Sequence, residues 1–113
     1  MKSKILALSK NEEFKELLEK KKISNKYVSI FFGYLDNKDK KKLNISFVTK
    51  KKLGNAVKRN KIKRRLRNIV NEAIKKIFIK LDYSYLVIAK PTMLKKEFNN
   101  IKETLFQEFK KIK

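Results

Sequence analysis

GNAVKRNKIKRRLRNIVNEAIKKI, Gly54 to Ile77, and then YSYLVIA, Tyr83 to Ala89, are the stretches whose reading decides the fold. Val57, Ile62, Leu66, Ile69, Val70, Ala73, Ile74 and Ile77 recur at the period of a helix with one apolar stripe. Gly54 and Asn55 break the pattern that precedes them, and Asn55 is the expected N-cap, because a side-chain oxygen there can take up a free amide of the first turn. In the second stretch Leu86, Val87 and Ile88 follow one another without a polar break, which predicts a strand buried on both faces. Pro91 ends it.

Working outward, Ser9 and Glu12 have capping-box spacing, and Phe14, Leu17 and Leu18 continue at helical spacing, which predicts a first helix from Lys10 to Lys20. Tyr27 to Leu35 reads as a strand, with Val28, Ile30, Phe32 and Tyr34 on one face and Tyr27, Ser29 and Phe31 on the other. Asp36 to Lys42, DNKDKKK, has turn formers and charge and no apolar residue, so the reading joins this strand in a hairpin to a second at Leu43 to Thr49. Leu94, Phe98, Ile101, Leu105, Phe109 and Ile112 define the apolar stripe of a last helix. The predicted order is α-β-β-α-β-α, in a single domain spanning residues 1–113. Most of the aromatic residues belong in its core. Tyr27 and Phe31 are the exceptions, since they share a face with Ser29 and Gly33 that suits an open, partly wet surface.

The charge balance narrows the function. With 32 Lys and Arg against 11 Asp and Glu, the chain carries +21. Self-repulsion of that size is relieved by a polyanionic partner, and nucleic acid is the commonest one. A membrane surface is the rival, but no window approaches a spanning length of apolar residues and MKSKILALSK lacks the apolar core of a signal peptide. The expected location is the cytoplasm. The sequence has neither His nor Cys, which removes disulfides, the usual proton shuttle and the commonest zinc ligands. No catalytic residue and no metal ligand is expected, and Glu12, Glu13, Glu16 and Glu19 read as helix-stabilising.

KKKLGNAVKRNKIKRRLR, Lys50 to Arg67, holds ten basic residues and no acid. At about 100° per residue, Arg59, Asn60, Lys63, Arg64 and Arg67 fall within one arc of about 140°. Lys58, Lys61 and Arg65 point elsewhere. Basic residues in the first turns of a helix oppose its macrodipole, which favours acids there. An anion met at this end, with the free amides adding to its capture, accounts for the placement.

These residues resemble the bacterial ribonuclease P protein family. Lys51-Lys52-Leu53-Gly54-Asn55-Ala56-Val57, then Arg59-Asn60-Lys61-Ile62-Lys63-Arg64 and Arg67, is similar to its signature helix. Ser9 to Phe14 resembles the opening of its first helix, and Asp82 to Lys90 its last strand. Lys61 departs from the usual Arg, Ser46 from the usual Gly, Lys50 from a common Ser, and Leu18 from a frequent second aromatic.

The resemblance implies an α+β fold, a two-layer α/β sandwich with a left-handed βαβ crossover, like domain 2 of ribosomal protein S5. It implies a protein subunit of ribonuclease P, the endoribonuclease that removes the 5′ leader of precursor tRNA. In that assembly the RNA subunit carries catalysis and requires Mg²⁺, the protein alone is not expected to be catalytic, and no cofactor is assigned to it. The implied partners are ribonuclease P RNA and precursor tRNA, not DNA or a membrane. Arg59, Asn60, Lys61, Lys63, Arg64 and Arg67, with Lys51 and Lys52, would contact RNA. Phe14, Phe31 and Tyr27 would line a cleft for the leader. The alternative reading is a structural ribosomal RNA-binding protein, and a Mg²⁺ nuclease in its own right is a further rival.

Overall fold

The computed structural model describes residues 5–6, 8, 11–35, 42–94 and 98–112. Its centre is the strand that the apolar run predicts. This strand, β5 (Ser84–Ala89), is buried along nearly its whole length, on both faces. Around it lie β1 (Ile5–Leu6), β2 (Lys21–Ser24), β3 (Val28–Gly33) and β4 (Leu43–Val48), in the sheet order β1-β4-β5-β3-β2. β5 runs parallel to β4 on one side and antiparallel to β3 on the other.

This order corrects the expected hairpin. β3 and β4 do not pair, because β5 lies between them, hydrogen-bonded to both. A strand with no polar face is most stable where both faces and both edges are covered, so it takes the centre. The hairpin that forms is β2–β3, with Lys22 opposite Phe31 and Ile23 opposite Ile30. Asn25 makes its turn, its Oδ1 accepting from the amides of Tyr27 at 2.8 Å and Val28 at 2.9 Å. The turn is fastened to the end of β5: Lys90 Nζ donates to Ser24 Oγ at 2.7 Å and Thr92 Oγ1 to the Lys26 carbonyl.

Among the described residues, three α-helices cover the sheet: α1 (Asn11–Leu18), α2 (Ala56–Lys76) and α3 (Phe98–Lys111). Side chains alternate across a strand, and β5 shows it. Tyr85, Val87 and Ala89 join the main core with Leu66, Ile69 and Ala73 of α2 and Ile101, Leu105 and Phe109 of α3. Leu86 and Ile88 meet Leu17 and Phe14 of α1 on the reverse face. The expected first helix begins at Asn11 and ends at Leu18, while Ser9, half of the expected capping box, lies outside the described residues. Asp36 to Lys41, most of the expected turn, lies outside them too.

α2 starts as its sequence requires. Asn55 caps it, Oδ1 accepting from the Lys58 amide at 3.0 Å, and Gly54 before it takes φ +128°, a conformation L side chains rarely adopt. A single turn of 3-10 helix, Lys51–Leu53, leads in and buries Leu53. Asn55→Ala should lower unfolding free energy by about 1 kcal/mol through loss of the cap. Gly54→Ala should cost about 1–3 kcal/mol through backbone strain. Urea unfolding of the two variants measures both.

Candidate RNA interface

α2 buries Ile62, Leu66, Ile69, Val70 and Ala73, which turns the opposite side of its first half to solvent. Asn60, Arg64 and Arg67 are exposed there, and Arg59 and Lys63 are half-buried at the boundary with the sheet. Lys58, Lys61 and Arg65 fall on the other flank, where with Ile62 they line a small separate groove of about 250 Å³. The two sets predicted from helical geometry are therefore separated by the body of the helix. Lys51 and Lys52 are exposed on the lead-in turn, and the first turn of α2 contains no acid. Arg59 Nε is buried without a protein acceptor.

Lys63 and Arg67 do more than face solvent. They line a groove of about 380 Å³ with Phe14 of α1, residues 45–48 of β4 and Thr49 just after it. β1 pairs with β4 only at Leu43 and Asn44, so the rest of that sheet edge has no strand partner among the described residues. One element thus presents an aromatic ring, a second two cations and a third the side chains of β4, whose Ser46 hydroxyl accepts from the Leu8 amide at 2.8 Å. Such a combination suits an extended polyanion with unstacked bases.

Phe31 belongs to the same reverse-face cluster as Phe14, with Leu86 and Ile88 near it, and it is half-buried. Lys22 stands over its ring at 5.5 Å from the centroid. Sequence reasoning missed Lys22, because a charged stretch directly after a helix gives no strand signal, and only the pairing with β3 brings it to Phe31.

Tyr27 does not join Phe14 and Phe31. It is 2% exposed in the main core. Alternation would have placed it beside Phe31, but the strand begins at Val28 and Tyr27 sits in the Asn25 turn, where strand alternation does not hold. Its carbonyl accepts from the Lys90 amide at 2.8 Å, which anchors it there.

Among the described residues no three His, Cys, Asp or Glu side chains converge as a metal site, and no helix is long and apolar enough to cross a membrane. The fold and the groove define a class: a small, strongly basic α+β protein built around one presented cationic helix. Comparison with known proteins gives the family. The ribonuclease P family profile matches residues 3–113. The ribonuclease P protein component of Mesoplasma florum is 35% identical over 98 residues, 87% of this chain and 86% of that one. The Staphylococcus aureus RNase P protein superposes with a TM-score of 0.77 at 26% identity, covering 94% of this chain and 93% of the other. The Thermotoga maritima RNase P protein, at 24% identity and a TM-score of 0.80 over 96% of this chain and 98% of that one, shares the fold. The chain belongs to the ribonuclease P protein family: it is a protein component of the ribonucleoprotein endoribonuclease that processes the 5′ end of tRNA, and ribonuclease P RNA is its partner.

Proposed function

We propose that the outer face of α2 holds ribonuclease P RNA and that the groove beside it holds the 5′ leader of precursor tRNA. The observation that carries this reading is the groove that Phe14 of α1, Lys63 and Arg67 of α2 and residues of β4 line together. Arg59, Asn60, Lys63, Arg64 and Arg67 meet phosphates of the RNA subunit, with Lys51 and Lys52 extending the contact from the lead-in turn. Lys61 lies on the opposite flank, with Lys58 and Arg65, and so contributes charge more than a contact on this face. Phe14 and Phe31 stack leader bases. Tyr27 supports the β2–β3 turn from within the core.

In this reading catalysis belongs to the RNA subunit with its Mg²⁺, and the assembly works in the cytoplasm. The protein's own residues bind and orient. Assays of precursor tRNA cleavage with protein alone, RNA alone and both at low Mg²⁺ test the reading. Efficient cleavage is expected only from the mixture, and cleavage by the protein alone would overturn it.

Counterion release sets a second expectation. The six cations assigned to phosphates, Arg59, Lys63, Arg64, Arg67, Lys51 and Lys52, give a slope of roughly −4 to −5.5 for log affinity against log salt concentration. A salt titration of binding to ribonuclease P RNA measures it, and a slope near zero would remove the electrostatic account.

A further inference from the structure

The segment that leaves α2 puts apolar surface into solvent far from the groove just described. Phe78 is 79% exposed, the most exposed large hydrophobic residue among those described. It stands in an open groove of about 980 Å³ lined also by Ile77 and Leu81. The charged groups lining it are Lys76, Lys80 and Lys110, with one acid, Asp82.

Lys80 links this groove to a second exposed ring. Its ammonium donates to the Tyr34 hydroxyl at 3.0 Å and stands 5.4 Å from the Tyr34 ring centroid and 4.5 Å from that of Tyr83. That hydrogen bond holds the Tyr34 hydroxyl below its usual pKa. Tyr34 is 55% exposed, its ring 4.7 Å from Tyr83 in an edge contact. Tyr85 Oη donates to the Lys80 carbonyl at 2.6 Å and fixes the backbone from below. Lys20 and Lys21 stand beside Tyr34, together with Glu19.

Exposed rings bordered by ammonium groups make a platform on which a base can stack while its phosphate is neutralised. A second copy of the chain is a poor occupant, since each copy carries +21 and the lysines would face lysines. The partner already established is a polyanion. α2 runs from Ala56 to Lys76, so at about 1.5 Å per residue this surface lies about 25 Å along the helix from Arg59 and Asn60.

We propose that the surface formed by Phe78, Lys80 and Tyr34 is a second docking site for ribonuclease P RNA, taking an unpaired segment whose bases stack on the two rings. Lys76, Lys80 and Lys110 meet the phosphates of that segment. The proposal rests on the reading of the chain as an RNA-binding subunit and adds a face that the basic helix does not reach.

The test measures affinity of the full chain for ribonuclease P RNA in four forms: wild type, Phe78→Ser, Phe78→Tyr, and the α2 variant with Arg59, Lys63 and Arg67 replaced by Ala. Phe78→Ser is expected to bind about tenfold more weakly, within the range for loss of one base–aromatic stack. Its melting temperature should be unchanged because the ring is exposed, and Phe78→Tyr, which keeps the ring, should bind like wild type. Wild-type affinity for Phe78→Ser with a loss in the α2 variant overturns this proposal and leaves RNA binding intact. Losses in neither variant overturn both. A loss confined to precursor tRNA in the holoenzyme, to a polyglutamate peptide, or to a dimer seen by sedimentation gives the surface to another partner and also overturns the proposal.

Discussion

Replacing Arg59, Lys63 and Arg67 together by Ala should weaken binding to ribonuclease P RNA on the order of 10²–10³-fold, taking about 1–1.4 kcal/mol for each phosphate contact removed from a solvent-facing helix. Replacing Lys58, Lys61 and Arg65 should cost far less, although the net charge falls equally. The structure makes this a test of geometry. Lys63 and Arg67 line the groove with Phe14, whereas the second set lines its own small groove on the other flank of α2. None of the six side chains makes an ion pair among the described residues, so neither triple variant strands a buried carboxylate. Both proteins should melt close to wild type. Equal losses of affinity from the two triples, measured in the same buffer, would show that total charge and not a presented face holds the RNA.

Helical geometry alone separates the two triples, and α2 shows why it can. A helix writes its faces into its own sequence: Ile62, Leu66, Ile69 and Ala73 mark the buried stripe at their spacing, and every base is then placed by angle. Ile101, Leu105 and Phe109 do the same for α3. The sheet is less legible, because strand hydrophobicity reports burial and not neighbours. Leu86, Val87 and Ile88 mark β5 as buried on both faces, but nothing local says that it separates β3 from β4. β2 is invisible for the opposite reason. Its residues, KKIS, are mostly exposed at the sheet edge, where charge guards against pairing with another chain. Of the candidate site, the cations are readable from helical angle and Phe14 through the family resemblance, while the place of β4 beside them and the approach of Lys22 to Phe31 arise only from strand order and register.

Phe31→Ala should weaken binding of the reconstituted holoenzyme to precursor tRNA by about 5- to 150-fold and leave its affinity for mature tRNA nearly unchanged. Only the precursor carries a leader. The range corresponds to about 1–3 kcal/mol for one base stacked on an aromatic ring. Phe31 is placed for this on the α1 side of the sheet, half-buried, with the Lys22 ammonium 5.5 Å from its centroid and Phe14 in the same cluster. Phe14→Ala should act in the same direction, since its ring lines the groove with Lys63 and Arg67. Phe31 also packs near Leu86 and Ile88, and a ring that served only as packing would give a different result. Truncating a fully buried Phe costs about 3–5 kcal/mol of folding stability, and the loss would weaken every ligand together through a smaller folded fraction. Thermal unfolding and both tRNA affinities measured on the same variant separate the two roles. A near-normal melt with a loss confined to the precursor assigns the ring to the leader, whereas a large fall in melting temperature with parallel losses for both tRNAs assigns it to the core and leaves Phe14 and the cations to hold the leader without it.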